Sequence, residues 1–435
     1  MSANYFKVNG GNRLSGTVSV SGAKNSVLAL LVASVLTDKQ LIIEDVPSIN
    51  DVYDLVDILE YLGSNIIISD QKEKKTITID NSKLKYKPLL IENVTKFRAS
   101  YYFMGAMIGR FGKVDILIPG GCFLGPRPID LHIKGFEEMG CSVKEYDTEQ
   151  GPAIEIRTTD GCLKGNTIFL DFPSVGATIN LLLASALANG NTLIENAAKE
   201  PEIIDVITML STMGANIRGG GTGNVKVEGV EKLEGCFHQV IPDRIEAGCY
   251  ILLASLLGNN IEVTNIIPEH LEALLSKLTE VGISFTIKDD SVIVHGKSDN
   301  LNPISIKTGV YPSFPTDLQQ VMCTFLTQIE GESKITEKIY PDRFRNCYEL
   351  INMGAAIDIK RSEEFGEAII QGGTGLDGKE VSASDLRAGF SLIFAGLIAN
   401  GETKVDNINH VLRGYDRIIE KLQGLGASIE LIEEK

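Results

Sequence analysis

The 435-residue chain has no CxxC pair, no cluster of histidines, no excess of cationic residues and no apolar run of membrane length. Each absence closes a class of function. The seven cysteines (Cys122, Cys141, Cys162, Cys236, Cys249, Cys323 and Cys347) are odd in number and widely spaced. That spacing argues against both a disulfide framework and a structural zinc site. The five histidines are scattered, so no metal site is expected. Lys and Arg total 41 against 57 Asp and Glu, a net charge of −16. Such a balance speaks against a nucleic-acid scaffold or a polybasic membrane binder. The longest apolar stretches, such as Val27 to Leu36, are about half of the roughly 20 residues that a membrane span needs. Residues Met1 to Lys7 do not form a basic segment leading into an apolar one, so export is not expected. The remaining expectation is an acidic cytoplasmic protein, 43% apolar and 23% charged, too long for one ordinary core.

What the chain does have is an internal repeat. A large apolar residue, Gly, a small residue, any residue and an apolar residue recur as Leu62-Gly63-Ser64-Asn65-Ile66 and Met139-Gly140-Cys141-Ser142-Val143. The phrase returns around Gly214, Gly282, Gly354 and Gly426. The glycine spacings are 77, 74, 68, 72 and 72 residues, so six copies account for the whole chain. Each glycine reads as a helix stop in the left-handed conformation, which costs Gly no Cβ clash. Upstream of it lies an amphipathic helix, as with Ile203, Ile207 and Leu210; downstream lies a strand pattern. Each copy opens with a more uniformly apolar helix, near 24–37, 98–111, 176–189, 245–257, 317–330 and 385–400. Those helices should be buried, with the amphipathic ones outside them. The expected architecture is α/β, with three units around three buried helices in each of two domains. A divide is expected at Val240-Ile241-Pro242-Asp243, where Pro interrupts before a new helix.

The buried helices begin at Lys24-Asn25, Arg98-Ala99-Ser100, Ser174-Val175-Gly176, Asp243-Arg244, Thr316-Asp317 and Asp385-Leu386-Arg387. If the two domains face one another, these N-termini converge, and their free N–H groups and positive dipole ends favour an anion. One Lys or Arg at a helix start is more often solvated than functional; several at equivalent repeat positions favour a site. The most unusual segment runs from Pro119 to His132, with three glycines and three prolines between a strand and a helix. Cys122 follows Gly-Gly there, and a thiolate near Arg127 would be stabilised for acid or nucleophile work. Asp317 reads either as a helix cap or as a general base. Asp385 offers the same two readings. Arg343 and Arg413, the latter placed at another helix start, read alternatively as surface ion pairs.

Ser21-Gly22-Ala23-Lys24-Asn25, the Gly-Gly-Cys loop, Phe314-Pro315-Thr316-Asp317, Asp385-Leu386-Arg387 and Arg413-Gly414-Tyr415 together resemble the bacterial UDP-N-acetylglucosamine enolpyruvyl transferase (1-carboxyvinyltransferase) family. The resemblance runs from about Phe6 to the last helix. It implies two inside-out α/β domains of three repeats each: residues 1–22 with 242–435, and residues 23–241 carrying the Cys122 loop. It also implies transfer of enolpyruvyl from phosphoenolpyruvate to the 3′-hydroxyl of UDP-N-acetylglucosamine, releasing phosphate, in peptidoglycan precursor synthesis. Two small-molecule substrates are implied, with no cofactor, nucleic acid or membrane partner. By resemblance, Lys24, Asn25, Arg127 and Arg413 hold the phosphoenolpyruvate or the chemistry around it, with Lys24 and Arg413 among the catalytic residues. Arg98, Arg127, Pro128, Ile129, Asp130, Leu131 and Ile339 line the nucleotide-sugar site, and Ser174, Val175 and Gly176 present N–H groups to its diphosphate. Asp317 takes the hydroxyl proton, and Cys122 protonates the methylene carbon and is the residue fosfomycin would alkylate. Arg343, Asp385 and Arg387 stabilise charge on the way. Thr178 is followed by Ile179 where the family often has Glu, and Pro126 stands where Ala is common; neither touches a proposed catalytic group.

Two alternatives stay open on the residues. The related transferase acting on shikimate 3-phosphate shares fold and donor, but lacks the Gly-Gly-Cys loop and has a Gly-Asn-Ala/Ser-Gly-Thr signature missing here. A non-catalytic paralogue that only binds the nucleotide sugar should have lost at least one of Lys24, Cys122, Asp317 and Arg413.

Overall fold

The computed structural model describes residues 4–71, 74–118, 129–296 and 300–433. Six copies of one α/β unit follow each other along the chain. Their helices are α1 (Lys24–Ala33) and α2 (Asn50–Leu62), α3 (Tyr102–Phe111) and α4 (Asp130–Glu138), α5 (Val175–Ser185) and α6 (Pro201–Thr212). They continue as α7 (Arg244–Leu257) and α8 (Glu272–Val281), α9 (Thr316–Leu326) and α10 (Arg345–Asn352), α11 (Leu386–Ile398), the single turn α12 (Asn409–Leu412) and α13 (Ile418–Gly424). The apolar helices are buried on every side: all residues of α5 from Ala177 to Ser185 are in the core. By contrast α2 buries one stripe, Val52, Leu55, Val56, Ile58, Leu59 and Leu62. Sequence periodicity alone foretold this difference, since a helix apolar all round needs neighbours all round.

All six repeat glycines are left-handed, with φ between 88° and 108°. They let each outer helix stop and the chain turn at once into its strand. Every repeat carries its own small sheet. In the fifth, Ser305–Lys307 runs parallel to Gly331–Glu337 on either side of α9, and Gly331–Glu337 then pairs antiparallel with Gly366–Gly372. This is a strand–helix–strand crossover closed by a hairpin.

The strands beside α1 and α7 break the sequential pattern. Leu14–Ser19, which precedes α1, pairs with Gly258–Thr264, the strand after α7. Phe237–Gln239, which precedes α7, pairs with Gln40–Glu44, the strand after α1. The two strands are exchanged. Tyr5–Asn9 also inserts between Glu402–Asp406 and Ser428–Ile432. The described chain accordingly separates into two compact units, up to Ser21 together with Pro242 onward, and from Gly22 to Ile241. Gly22 falls in the second of these, one residue earlier than the boundary read from the sequence. Each unit has its own apolar core.

Inner helices pack closely through small and polar residues. A Cβ on Gly105 of α3 would lie 2.2 Å from the backbone oxygen of Asn180 on α5. Asn180 Oδ1 also accepts the Gly105 N–H at 2.7 Å. In the other unit Thr324 of α9 and Ser391 of α11 share a buried hydrogen bond of 2.8 Å.

Gly105→Ala therefore overpacks a helix crossing and should cost about 3 kcal/mol. Gly140→Ala has open space around its Cβ and pays only for its left-handed φ, about 1 kcal/mol. Urea unfolding of the two variants should separate them, and equal losses would contradict the close-approach account.

Candidate active site

Each unit carries candidate side chains at the starts of its inner helices. In the unit containing α9 and α11, Asp317 lies in the first turn of α9. Its carboxylate does not cap the helix. It faces two arginines: Arg343 NH1 lies 2.8 Å from Oδ1 and Arg387 NH2 lies 3.1 Å from Oδ2. Both guanidiniums are 3% exposed, and Asp317 is 27% exposed. Arg343 is thus a buried cation and not a surface ion pair. Burial works to raise the Asp317 pKa, but the two adjacent charges and their hydrogen bonds outweigh it and hold the carboxyl well below the usual range. Among the described residues, Arg343 Nε and Arg387 NH1 are buried without hydrogen-bond partners. Two unused buried donors beside a doubly paired carboxylate leave hydrogen-bonding capacity for a further acceptor.

Several residues hold this cluster in place. Glu337 is fully buried. It accepts hydrogen bonds from Thr316 Oγ1 at 2.8 Å and from the N–H groups of Ile339 and Tyr340 at 2.7 and 3.0 Å. Thr316 Oγ1 in turn accepts from Arg343 NH1 at 3.0 Å. The Arg387 guanidinium lies over the Tyr415 ring at 5.4 Å, and Tyr415 bonds Cys249 of α7 at 3.3 Å. Nothing in the local sequence marks Glu337 as part of the site, because a buried Glu at a strand end matters only through tertiary partners.

Asp385 is a helix cap. Its Oδ1 accepts the N–H groups of Arg387 and Ala388 at 2.9 and 3.1 Å, and its Oδ2 accepts from Gln320 Nε2 at 3.0 Å. Of its two readings the structure displays the cap, which also aims Arg387 at Asp317. Arg413 does not open a helix: it closes the single turn α12, and the next helix begins at Ile418. One turn was too short to show as a separate period. Ile339 is half-buried just beyond the Gly331–Glu337 strand.

In the other unit, Lys24 opens α1 and pairs with Asp51 of α2 at 2.8 Å, at 11% and 4% exposure. An ammonium at the positive end of a helix dipole is unfavourable. Asp51 offsets that cost, a partner the sequence reading did not identify. Asn25 beside it is exposed. Arg98 begins a short 3-10 turn, Arg98–Tyr101, ahead of α3 and stacks on the Tyr101 ring at 5.5 Å. Ser174 caps α5 by accepting the Ala177 N–H at 3.3 Å. Val175 and Gly176 follow as its first helical residues, half-buried. Ile129 is the half-buried residue before α4, and exposed Asp130 and half-buried Leu131 are its first two residues. His132, next in line, is 2% exposed and meets Gly176, a contact the sequence gave no reason to expect. Cys122, Arg127 and Pro128 lie outside the described residues. Burial pushes the Cys249 and Cys141 thiols up to about 12, so neither offers a thiolate near neutral pH. Among the described residues no three His, Cys, Asp or Glu form a metal-binding group, and no helix is long and apolar enough to cross a membrane.

The family model for EPSP synthase (3-phosphoshikimate 1-carboxyvinyltransferase) matches residues 8–422. A UDP-N-acetylglucosamine 1-carboxyvinyltransferase 2 of Listeria monocytogenes is 50% identical over 422 residues, 97% of this chain and 96% of that protein. A UDP-N-acetylglucosamine 1-carboxyvinyltransferase 1 of Streptococcus agalactiae is 48% identical over 427 residues, 98% and 99% of the two chains. The crystal structure of the enolpyruvyl transferase NikO from Streptomyces tendae superposes with a TM-score of 0.88 over the full length of both chains, at 24% identity. An EPSP synthase from Acinetobacter baumannii gives 0.73 at 19% identity, covering 99% of this chain and 100% of that one. These two structures speak to the fold.

Asp317→Asn keeps the side-chain shape but removes the one carboxylate directly paired with both buried guanidiniums, which should cost about 3 kcal/mol at pH 7. A depressed carboxyl contributes stability above its unfolded pKa, about 3.9, and loses it as pH falls through the lower folded value. The difference between wild type and variant in urea unfolding should stay level from about pH 8 to 5 and shrink only below about pH 4. A difference that already declines near pH 6 would contradict the double ion pair.

Proposed function

The chain belongs to the EPSP synthase family of carboxyvinyltransferases, and from that premise we infer that it transfers enolpyruvyl from phosphoenolpyruvate to the 3′-hydroxyl of UDP-N-acetylglucosamine. Phosphate is released, and the product enters peptidoglycan synthesis. The observation that carries the chemistry is the Asp317 carboxylate gripped by Arg343 and Arg387, each with a spare buried donor.

The donor substrate is a carboxylate and a phosphate on one small frame, so it competes with Asp317 for the two guanidiniums. As they turn to the substrate, Asp317 loses part of the charge that suppresses its basicity. It can then take the 3′-hydroxyl proton while the sugar oxygen attacks the central carbon of the enolpyruvyl group. Cys122 supplies a proton to the methylene carbon, giving a tetrahedral ketal. One proton of the resulting methyl group returns to the Cys122 thiolate while phosphate departs with the proton that Asp317 took, and the double bond is restored. Arg343 and Arg387 stabilise the negative charge carried through these steps, each contributing a few kcal/mol in a site of low dielectric. Asp385 acts by fixing Arg387. Lys24, Asn25, Arg127 and Arg413 serve the donor. Arg98, Ile129, Asp130, Leu131, Pro128, Ile339 and the α5 start at Ser174 to Gly176 serve the nucleotide sugar, its diphosphate falling to the N–H groups of that helix start.

Phosphate release should occur with phosphoenolpyruvate and UDP-N-acetylglucosamine and not with shikimate 3-phosphate as acceptor. Cys122→Ala should lower the rate at least about 100-fold, the effect of losing a general acid. Release with shikimate 3-phosphate would move the chain to the other transferase class, and nucleotide-sugar binding without turnover would make it a binding paralogue. Fosfomycin should leave its adduct on the Cys122 peptide in mass spectrometry, and an unmodified peptide would remove Cys122 from the assigned role.

A further inference from the structure

His132 is buried in the first turn of α4, yet the reaction as assigned gives it no task. Its hydrogen bonding determines which ring nitrogen carries the proton. Asn180 Oδ1 is occupied by the Gly105 N–H at 2.7 Å, so the Asn180 amide nitrogen faces the imidazole, 2.8 Å from His132 Nδ1. An amide nitrogen only donates, so Nδ1 must accept, and the ring proton sits on Nε2. Among the described residues Nε2 has no hydrogen-bond partner. It points at the start of α5: a Cβ added to Gly176 would lie 3.3 Å from Nε2 and 3.2 Å from Cε1. Glycine at 176 is what allows the ring to approach the helix end.

The start of α5 has donors to spare. Ser174 Oγ takes the Ala177 N–H at 3.3 Å, and the Ser174 carbonyl takes that of Thr178 at 2.9 Å. The N–H groups of Val175 and Gly176 keep the orientation of a helix start without an intrahelical acceptor. A third N–H, from a side chain held nine-tenths buried, is therefore aimed at the same spot. Burial, and then the nearby Arg98 charge, lower the His132 pKa to about 3. The ring thus keeps one donor and no charge at neutral pH.

We propose that His132 donates its Nε2–H to the diphosphate of the nucleotide sugar, beside the Val175 and Gly176 N–H groups. The assignment rests on the reading that the α5 start receives the diphosphate. It makes the site a set of fixed neutral donors, which do not exchange ions with solvent, supplemented by Arg98. Asn180 is the residue that orients the ring, and through Gly105 it ties that orientation to the α3–α5 crossing.

Two substitutions separate the two ring nitrogens. In His132→Asn the amide can still accept from Asn180 but cannot reach α5. In His132→Gln the longer amide can place an N–H where Nε2 was. Calorimetric titration with UDP and with UMP is the direct test. Wild type should bind UDP more tightly than UMP. His132→Asn should lose about tenfold in UDP affinity, the size of a hydrogen bond to a charged group, with UMP binding unchanged, and His132→Gln should recover most of it. Undiminished UDP binding in His132→Asn, with the UDP preference intact, overturns the role of His132 and leaves the diphosphate reading standing. Equal affinities of wild type for UDP and UMP overturn the diphosphate reading itself, and the proposal with it. Should His132→Asn fail to fold, long-range proton–nitrogen NMR of the wild type decides. A histidine with its proton on Nε2 that shifts with UDP but not with UMP supports the proposal, and one unmoved by UDP refutes it.

Discussion

The double ion pair at Asp317 is the interaction on which the site depends. Two guanidiniums at 3% exposure would be prohibitively unfavourable without counter-charge; the Asp317 carboxylate pairs directly with both, and Asp385, Glu337 and Asp243 add negative charge nearby. The same pairing lowers the basicity of Asp317. In the proposed mechanism a bound anion replaces Asp317 as counter-charge, and Asp317 then takes the hydroxyl proton. Much of the surrounding polar structure serves this one arrangement: Glu337 and Thr316 position Arg343, the Asp385 cap positions Arg387, and the Tyr415 ring supports it from behind.

An acidic protein can therefore carry local anion sites. The net charge of −16 is a sum over the whole chain and does not describe the charge at any one place. The two cations paired with Asp317 are buried, Arg387 in the first turn of the inner helix α11 and Arg343 just before the outer helix α10. Helices apolar all round have to sit at the centre of each unit, so the repeat that makes the core also brings helix starts together. The α5 start with His132 and the α9 and α11 starts with Asp317 are two outcomes of that one rule.

The periodic features were legible in the sequence. Gly63, Gly140, Gly214, Gly282, Gly354 and Gly426 marked helix ends because only a left-handed residue fits there, and a continuous apolar pattern marked the inner helices. The strand exchange was not legible: Leu14–Ser19 has the same alternation whichever partner it meets, and pairing across some 240 residues leaves no local trace. Within the site, charged residues at helix starts could be nominated but not their partners. Asp317 could not be told from a cap until Arg343 and Arg387 were in place, and Arg413 was put at a helix start that proved to be a helix end. His132 stood in a motif already singled out, but its significance depends on Asn180 and Gly176, one from each side of the ring.

In the proposed reaction the sugar oxygen adds to the central carbon of the enolpyruvyl group, and the original bridging oxygen leaves with phosphate. Phosphoenolpyruvate carrying heavy oxygen at the bridging position, turned over with UDP-N-acetylglucosamine, tests it most directly. The account predicts that all of the label appears in the released phosphate and none in the sugar product. Phosphate released without the label would mean cleavage between phosphorus and oxygen, and would contradict it.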